Sequence, residues 1–258
     1  MKLYTSEIKA TARGCLAGRY ATIVIAYMLA RFLTNLPTLL ISNMSVSNST
    51  IRDLIDISVG LIIAFIMTVF IVGQNRICLK YIRSKDPVMV NEMWYGFKNL
   101  ADQTIIAYFL IIIRMLIPSV PFITCMFFLS RDLANVFWMT ASIITGILMF
   151  ILITVIYLDY VLVFFLIIDH PDENPSKLLT KSKELMKGNR LKYLYLQASF
   201  LGMYLLGILS FGVGMLWVNP YVKMAVTKFY ILLIGEKNET EQLLEGKLED
   251  PNYFKEVY

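Results

Sequence analysis

The sequence predicts an all-α fold, a polytopic transmembrane helical bundle, and three observations carry that prediction. Hydrophobic residues make up 57% of the 258-residue chain and charged residues only 17%, against roughly 45–50% and 25% in soluble domains. Mean hydropathy is +0.63. The apolar residues also fall in blocks about 20 residues long, the length a helix needs to cross the hydrocarbon core. A barrel would instead show alternating segments of about ten residues. So few charged side chains cannot cover a soluble domain of this length.

Six spans are expected, over 20–41, 57–79, 104–129, 136–168, 193–211 and 214–234. The segment before the first holds Lys2, Lys9, Arg13 and Arg19 without an apolar core. The first span is therefore expected to act as an uncleaved insertion signal. Pro118 and Pro121 break the third span and Pro37 falls near the end of the first, each removing a backbone donor that other groups must compensate. The fourth is long enough to require tilt, or to place Trp138 in the outer interface. The last two form a pair only if Phe211-Gly212-Val213-Gly214 is a tight turn, which glycine permits by accepting positive φ. The alternative is one span over 193–218 followed by an interfacial helix over 219–234. Residues 1–234 form one membrane domain and 235–258 an acidic tail with seven Asp/Glu and three Lys.

Charge fixes the expected orientation. Segments 1–19, 76–103 and 169–192 hold 15 Lys/Arg, whereas the opposite connections hold only Arg52 and Arg131. The positive-inside bias puts the N-terminus in the cytoplasm. Two of these basic segments have helical pattern. Asn174-Pro175 starts a helix over 175–190, in which Leu178, Leu179, Leu185 and Met186 form an apolar stripe among Lys177, Lys181, Lys183, Lys187 and Arg190. A weaker stripe of Met89, Met93, Trp94 and Phe97 lies in 87–100. Both are expected either to lie along the inner leaflet, with those five basic residues contacting anionic lipid, or to pack on the bundle.

Charges within apolar spans are costly, at about 2.5–3.5 kcal/mol each on insertion scales. Arg31, Arg114, Asp159 and Lys223 lie 9–11 residues from the inner ends of their spans, which places them roughly 14–17 Å deep, near the midplane. An Arg114–Asp159 ion pair is the natural expectation, since each ion alone would cost more. The remaining positive charge of Arg31, Arg114 and Lys223 suits an anionic ligand.

Catalytic patterns are lacking. His170 is the lone histidine, beside Asp169 and Asp172, and Cys15, Cys78 and Cys125 are widely spaced. Neither set makes a metal site or a disulfide framework. Phosphate-binding and hydrolase motifs do not occur. No enzyme activity, cofactor or metal is expected, and no nucleic-acid partner, because topology accounts for the net charge of +5.

Three stretches carry a family resemblance: Lys181 to Asn189, Ser199-Phe200-Leu201-Gly202, and Leu206 to Tyr221 with the closing Phe229-Tyr230. Together they make the chain similar to the bacterial membrane proteins grouped as Domain of Unknown Function 975. It looks more loosely like the membrane region of some glycerophosphodiester phosphodiesterases. The resemblance implies a bacterial cytoplasmic-membrane protein of about six spans and brings no catalytic residues with it. The expected function is a non-enzymatic accessory or scaffold component with a protein partner. The alternative is a small transporter or lipid-handling protein with a positively charged midplane cavity.

Overall fold

The computed structural model describes residues 5–18, 20–42, 49–84, 88–132 and 135–235, with backbone alone for 38–42 and 49. Lys2, Arg19, Lys85 and the acidic tail from 236 onward lie outside the described residues. The described residues are helical, without a strand. They cluster into two compact units, one formed by 1–99 with 192–258 and the other by 100–191.

In the first unit, α1 (Thr5–Leu16) buries Ile8, Ala12 and Leu16, a four-residue spacing that makes one apolar face. The chain then turns by 91° into α2 (Tyr20–Ser42), which contains Pro37. α3 (Ser49–Arg83) is the longest helix and starts earlier than the apolar run it contains. A 3-10 turn over Val90–Trp94 and the short α4 (Tyr95–Asn99) follow. This segment lies directly against α3. A Cβ on Gly73 would stand 2.1 Å from the Met93 carbonyl oxygen, and one on Gly96 would stand 2.6 Å from that of Val69. Only glycine allows two backbones to approach so closely. Met93 is fully buried, and Phe70, Trp94 and Phe97 form an edge-to-face cluster. Of the stripe over 87–100, Met93 and Phe97 thus pack on their own unit, whereas Met89 is exposed.

The second unit opens with α5 (Ala101–Leu116), a 3-10 turn over Ile117–Ser119 and α6 (Val120–Arg131). The break falls at Pro118 and Pro121, as their missing donors require. Asn135 caps α7 (Val136–Tyr160), its side chain accepting from the Phe137 backbone N–H. The expected long fourth span is interrupted after Tyr160 and resumes as α8 (Val163–Asp169). Asn174 then caps α9 (Pro175–Met186), accepting from the Ser176 N–H. α9 packs on α5, α7 and α8, with Leu178, Leu179, Ser182 and Met186 buried. The helix expected over 175–190 is thus present over Pro175–Met186, with Arg190 opening the next helix, and its apolar stripe is spent on protein.

α10 (Arg190–Ala198), α11 (Leu201–Leu209) and α12 (Met215–Leu233) complete the described chain. The turn expected at Phe211–Gly214 forms between α11 and α12. Gly212 has φ +85° and Phe211 φ 54°, and the Ser210 hydroxyl accepts from the Gly214 N–H. Gly214 and Gly207 meet closely: a Cβ on Gly214 would lie 2.9 Å from the Gly207 Cα.

The six expected spans are not confirmed: among the described residues three helical stretches are long and apolar enough to cross a membrane, namely Thr50–Arg83, Ala101–Arg131 and Val136–Asp169, or four if the bent α1–α2 pair counts as one. The run over 193–211 is divided between α10 and the nine-residue α11, the latter only about 13 Å long. Asn219, Lys223, Thr227 and Lys228 make α12 too polar. Its apolar side chains from Val218 to Ile231 are buried, against α1, α2 and α3.

Candidate functional site

Asp159 occupies the last turn of α7, where its side chain is 7% exposed. Its Oδ1 accepts from the Arg190 Nε at 2.6 Å and lies 2.5 Å from Nη2. The Ser182 hydroxyl donates to the Asp159 carbonyl at 2.6 Å. The chain reverses after Asp169, so α9 lies beside α7 and α8 and carries Ser182 to Asp159, and Arg190, the first residue of α10, reaches the same carboxylate. The expected Arg114–Asp159 pair is not the one formed. Arg190, expected at the inner leaflet, is the partner instead.

Arg114 takes a different position. Its guanidinium carbon stands 5.2 Å from the centre of the Tyr160 ring. Its Nη1 is buried and donates to no hydrogen-bond acceptor among the described residues. The exposed large apolar side chains of α7 run from Val136 to Tyr157, a row of roughly 32 Å at about 1.5 Å per residue. Asp159 follows just past this exposed row, ahead of the buried α8.

In the first unit Arg31 is exposed on α2, one turn beyond Tyr27. Lys223 is half-buried on α12, near Cys78 of α3, whose thiol meets the Thr227 hydroxyl. The structure thus assigns Arg31 and Lys223 to one unit and Arg114 to the other.

Three features escaped the sequence reading. Glu92 receives the Arg76 Nε at 2.8 Å and the Lys80 Nζ at 2.6 Å, and Arg76 also lies over the Tyr95 ring at 3.3 Å. Burial alone would raise the Glu92 carboxyl, but the hydrogen bonds and charges of Lys80 and Arg76 outweigh it and hold it below the usual glutamate range. The i, i+4 spacing of the two bases was the available signal. Lys9 donates to the Ser199 carbonyl at 2.8 Å and sits over the Phe200 ring. Lys228, hidden in an apolar run, is 3% exposed.

The basic face of α9 is open. Lys177, Lys183 and Lys187 are exposed, with Thr180 and Glu184 among them. Lys181 is drawn aside to His170, its Nζ 2.6 Å from the imidazole Nε2. The His170 Nδ1 lies 3.9 Å from Glu173. Among the described residues no grouping of three His, Cys, Asp or Glu side chains could hold a metal ion.

A family model described as "Protein of unknown function (DUF975)" matches residues 1–237. No curated protein and no solved structure matches the chain, so the looser likeness to glycerophosphodiester phosphodiesterases has no support.

Proposed function

Because the chain belongs to the DUF975 family of proteins of unknown function, we propose its role from its own geometry: a non-enzymatic component of a bacterial cytoplasmic membrane that docks a protein partner. The observation that carries this reading is α9. A basic amphipathic helix that served to enter a bilayer would keep its apolar face free. Here Leu178, Leu179 and Met186 are buried in the protein, and the helix is tied to α7 by the Ser182–Asp159 hydrogen bond. What remains facing outward is a net positive surface of Lys177, Lys183 and Lys187 with Glu184 among them. A net excess of one charge sign favours an oppositely charged surface and speeds its encounter. The excess of Lys/Arg in 76–103 and 169–192 supports a cytoplasmic position for this surface. The matching partner is a cytoplasmic or membrane protein with an acidic segment.

Gentle detergent extraction and affinity purification test the reading. The wild type is expected to carry a partner in fixed ratio, and a variant with Lys177→Glu, Lys183→Glu and Lys187→Glu is expected to lose at least about nine-tenths of it. Equal retention by the variant, or a wild type that purifies alone, would refute the docking role.

A further inference from the structure

We propose that the α11–α12 hairpin enters the hydrocarbon of one leaflet from the side on which α1 lies, and turns back near mid-bilayer without crossing. Between Lys192 and Lys223 no residue is charged, yet neither helix of the hairpin is an apolar span. α11 has nine residues, about 13 Å at about 1.5 Å per residue, which is just under half of a hydrocarbon core of about 30 Å. Exposure changes along the hairpin. Leu205, Leu206, Leu209, Phe211, Val213 and Trp217 are exposed, whereas Val218, Tyr221 and Val222 are buried. An apolar tip projects from a packed base.

α1 marks the level of that base. The Lys9 Nζ donates to the Ser199 carbonyl at 2.8 Å and stands 4.4 Å from the centre of the Phe200 ring. The Tyr221 hydroxyl donates to the Lys9 carbonyl at 3.3 Å, and Phe200 meets Tyr221 edge to face. α1 therefore lies across the start of α11, with Glu7 and Arg13 exposed. Exposed charges belong in water or among headgroups, so they set where hydrocarbon begins. The tip reaches one length of α11 beyond that level.

The turn is suited to lipid because its backbone donors are satisfied internally. Each backbone N–H from Ser210 to Val218 donates within the hairpin, that of Gly214 to the Ser210 hydroxyl and the others to carbonyls. Hydrocarbon requires this, since it offers free backbone groups no partner. Phe211 stands at the tip, fully exposed and with φ 54°, a costly conformation for a bulky residue. Acyl chains would bury the ring, whereas water would leave it uncompensated. A protein-docking patch has a polar rim; here the exposed side chains around the turn are apolar and uncharged, which selects lipid. The hairpin belongs to the first unit, so its test is separate from that of α9.

Depth and side are measured on the full chain. For depth, a chain with Trp94→Phe, Trp138→Phe, Trp217→Phe and Phe211→Trp is reconstituted in phosphatidylcholine–phosphatidylglycerol vesicles. The Phe211→Trp indole should be quenched more strongly by lipids brominated near the chain ends than by lipids brominated near the glycerol. Trp217, about 6 Å from Tyr221 along α12, should show the reverse order when it is the tryptophan retained. Val213→Trp carries the depth measurement if Phe211→Trp does not fold. For side, the background lacks Cys15, Cys78 and Cys125. In right-side-out and inverted vesicles, Ala10→Cys and Ala198→Cys should react with an impermeant maleimide from the same face, and Phe211→Cys from neither. Reaction of Phe211→Cys from the opposite face would make the hairpin two spans and overturn the proposal. Reaction from the face of Ala10→Cys would place it on the surface and overturn it too. A tip quenched by neither lipid would be covered by protein, which overturns the lipid reading.

Discussion

Asp159 carries a charge into a place where 7% of its side chain meets solvent, so the cation facing it decides whether the fold tolerates it. That cation is Arg190, itself about one-third exposed at 35%. Removing one partner of a buried pair typically costs about 3–5 kcal/mol. The open side of Arg190 lowers the expected loss, to about 2–3 kcal/mol for Arg190→Ala. Arg114→Ala should cost less, because no carboxylate loses its partner. Thermal unfolding in detergent distinguishes the two. Exchanging Asp159 and Arg190 as a pair should recover part of the melting temperature lost by either single change, whereas exchanging Asp159 with Arg114 should recover none. Rescue by the Arg114 exchange would show that the pair has been misassigned.

At the scale of elements, the 90–99 segment shows how a short, weakly helical stretch acquires a fixed place. Two glycines remove the steric barrier against α3, three aromatic rings fill the contact, and Glu92 ties it to Arg76 and Lys80. A carboxyl held below its usual range in the folded state stabilises the fold at pH above its unfolded value, near 4.5, and loses that contribution as pH falls through the folded value. Acidification should therefore loosen this segment. Trp94 is the reporter, after Trp138→Phe and Trp217→Phe. Its emission should move to the red as pH falls below about 4.5. Glu92→Gln should show the shifted emission already at neutral pH and little further change. A variant that titrates like the wild type would place the control elsewhere. Much at this scale was legible in the sequence. Asn174-Pro175 and Gly188 bound α9, Pro118 marks the break after α5, and Gly212 marks the α11–α12 turn. Each signal is a local backbone constraint. The partner of Asp159 was not legible, because it depends on the chain reversing after Asp169 and bringing a residue 31 positions away alongside. Nor was the role of α12, since apolar residues packed on α1 and α3 read the same as apolar residues facing lipid.

At the scale of the whole molecule, the same ambiguity explains why three or four helices of sufficient length and hydropathy stand among the described residues where six spans were expected. Exposure separates the two causes of hydrophobicity that composition merges. In the second unit the exposed apolar row of α7 ends at Tyr157, while that of α5 and α6 runs from Ile105 to Phe128, roughly 35 Å along the helices. Both lengths lie near the hydrocarbon thickness of about 30 Å. At the far end of these rows Phe128 stacks on Trp138 with ring centres 4.6 Å apart, and Phe127 and Phe137 pack alongside. Tryptophan in particular gathers at membrane–water boundaries. The two ends together set the centre of the band near Ile147, about 18 Å from Asp159 along the helix. A nitroxide scan along α7, in a background lacking Cys15, Cys78 and Cys125, measures this directly. Labels at Phe137, Ile143, Ile147, Ile151 and Tyr157 in a bilayer should show oxygen contact rising to a maximum near Ile147. Contact with a water-soluble relaxation agent should be lowest there and should increase towards Tyr157 and again at Lys187. A maximum at Leu158 would return Asp159 to the midplane, and with it the single layer of charges that the sequence suggested. A maximum at Ile147 leaves Asp159 towards one end of the α7 row, where Arg190 neutralises it.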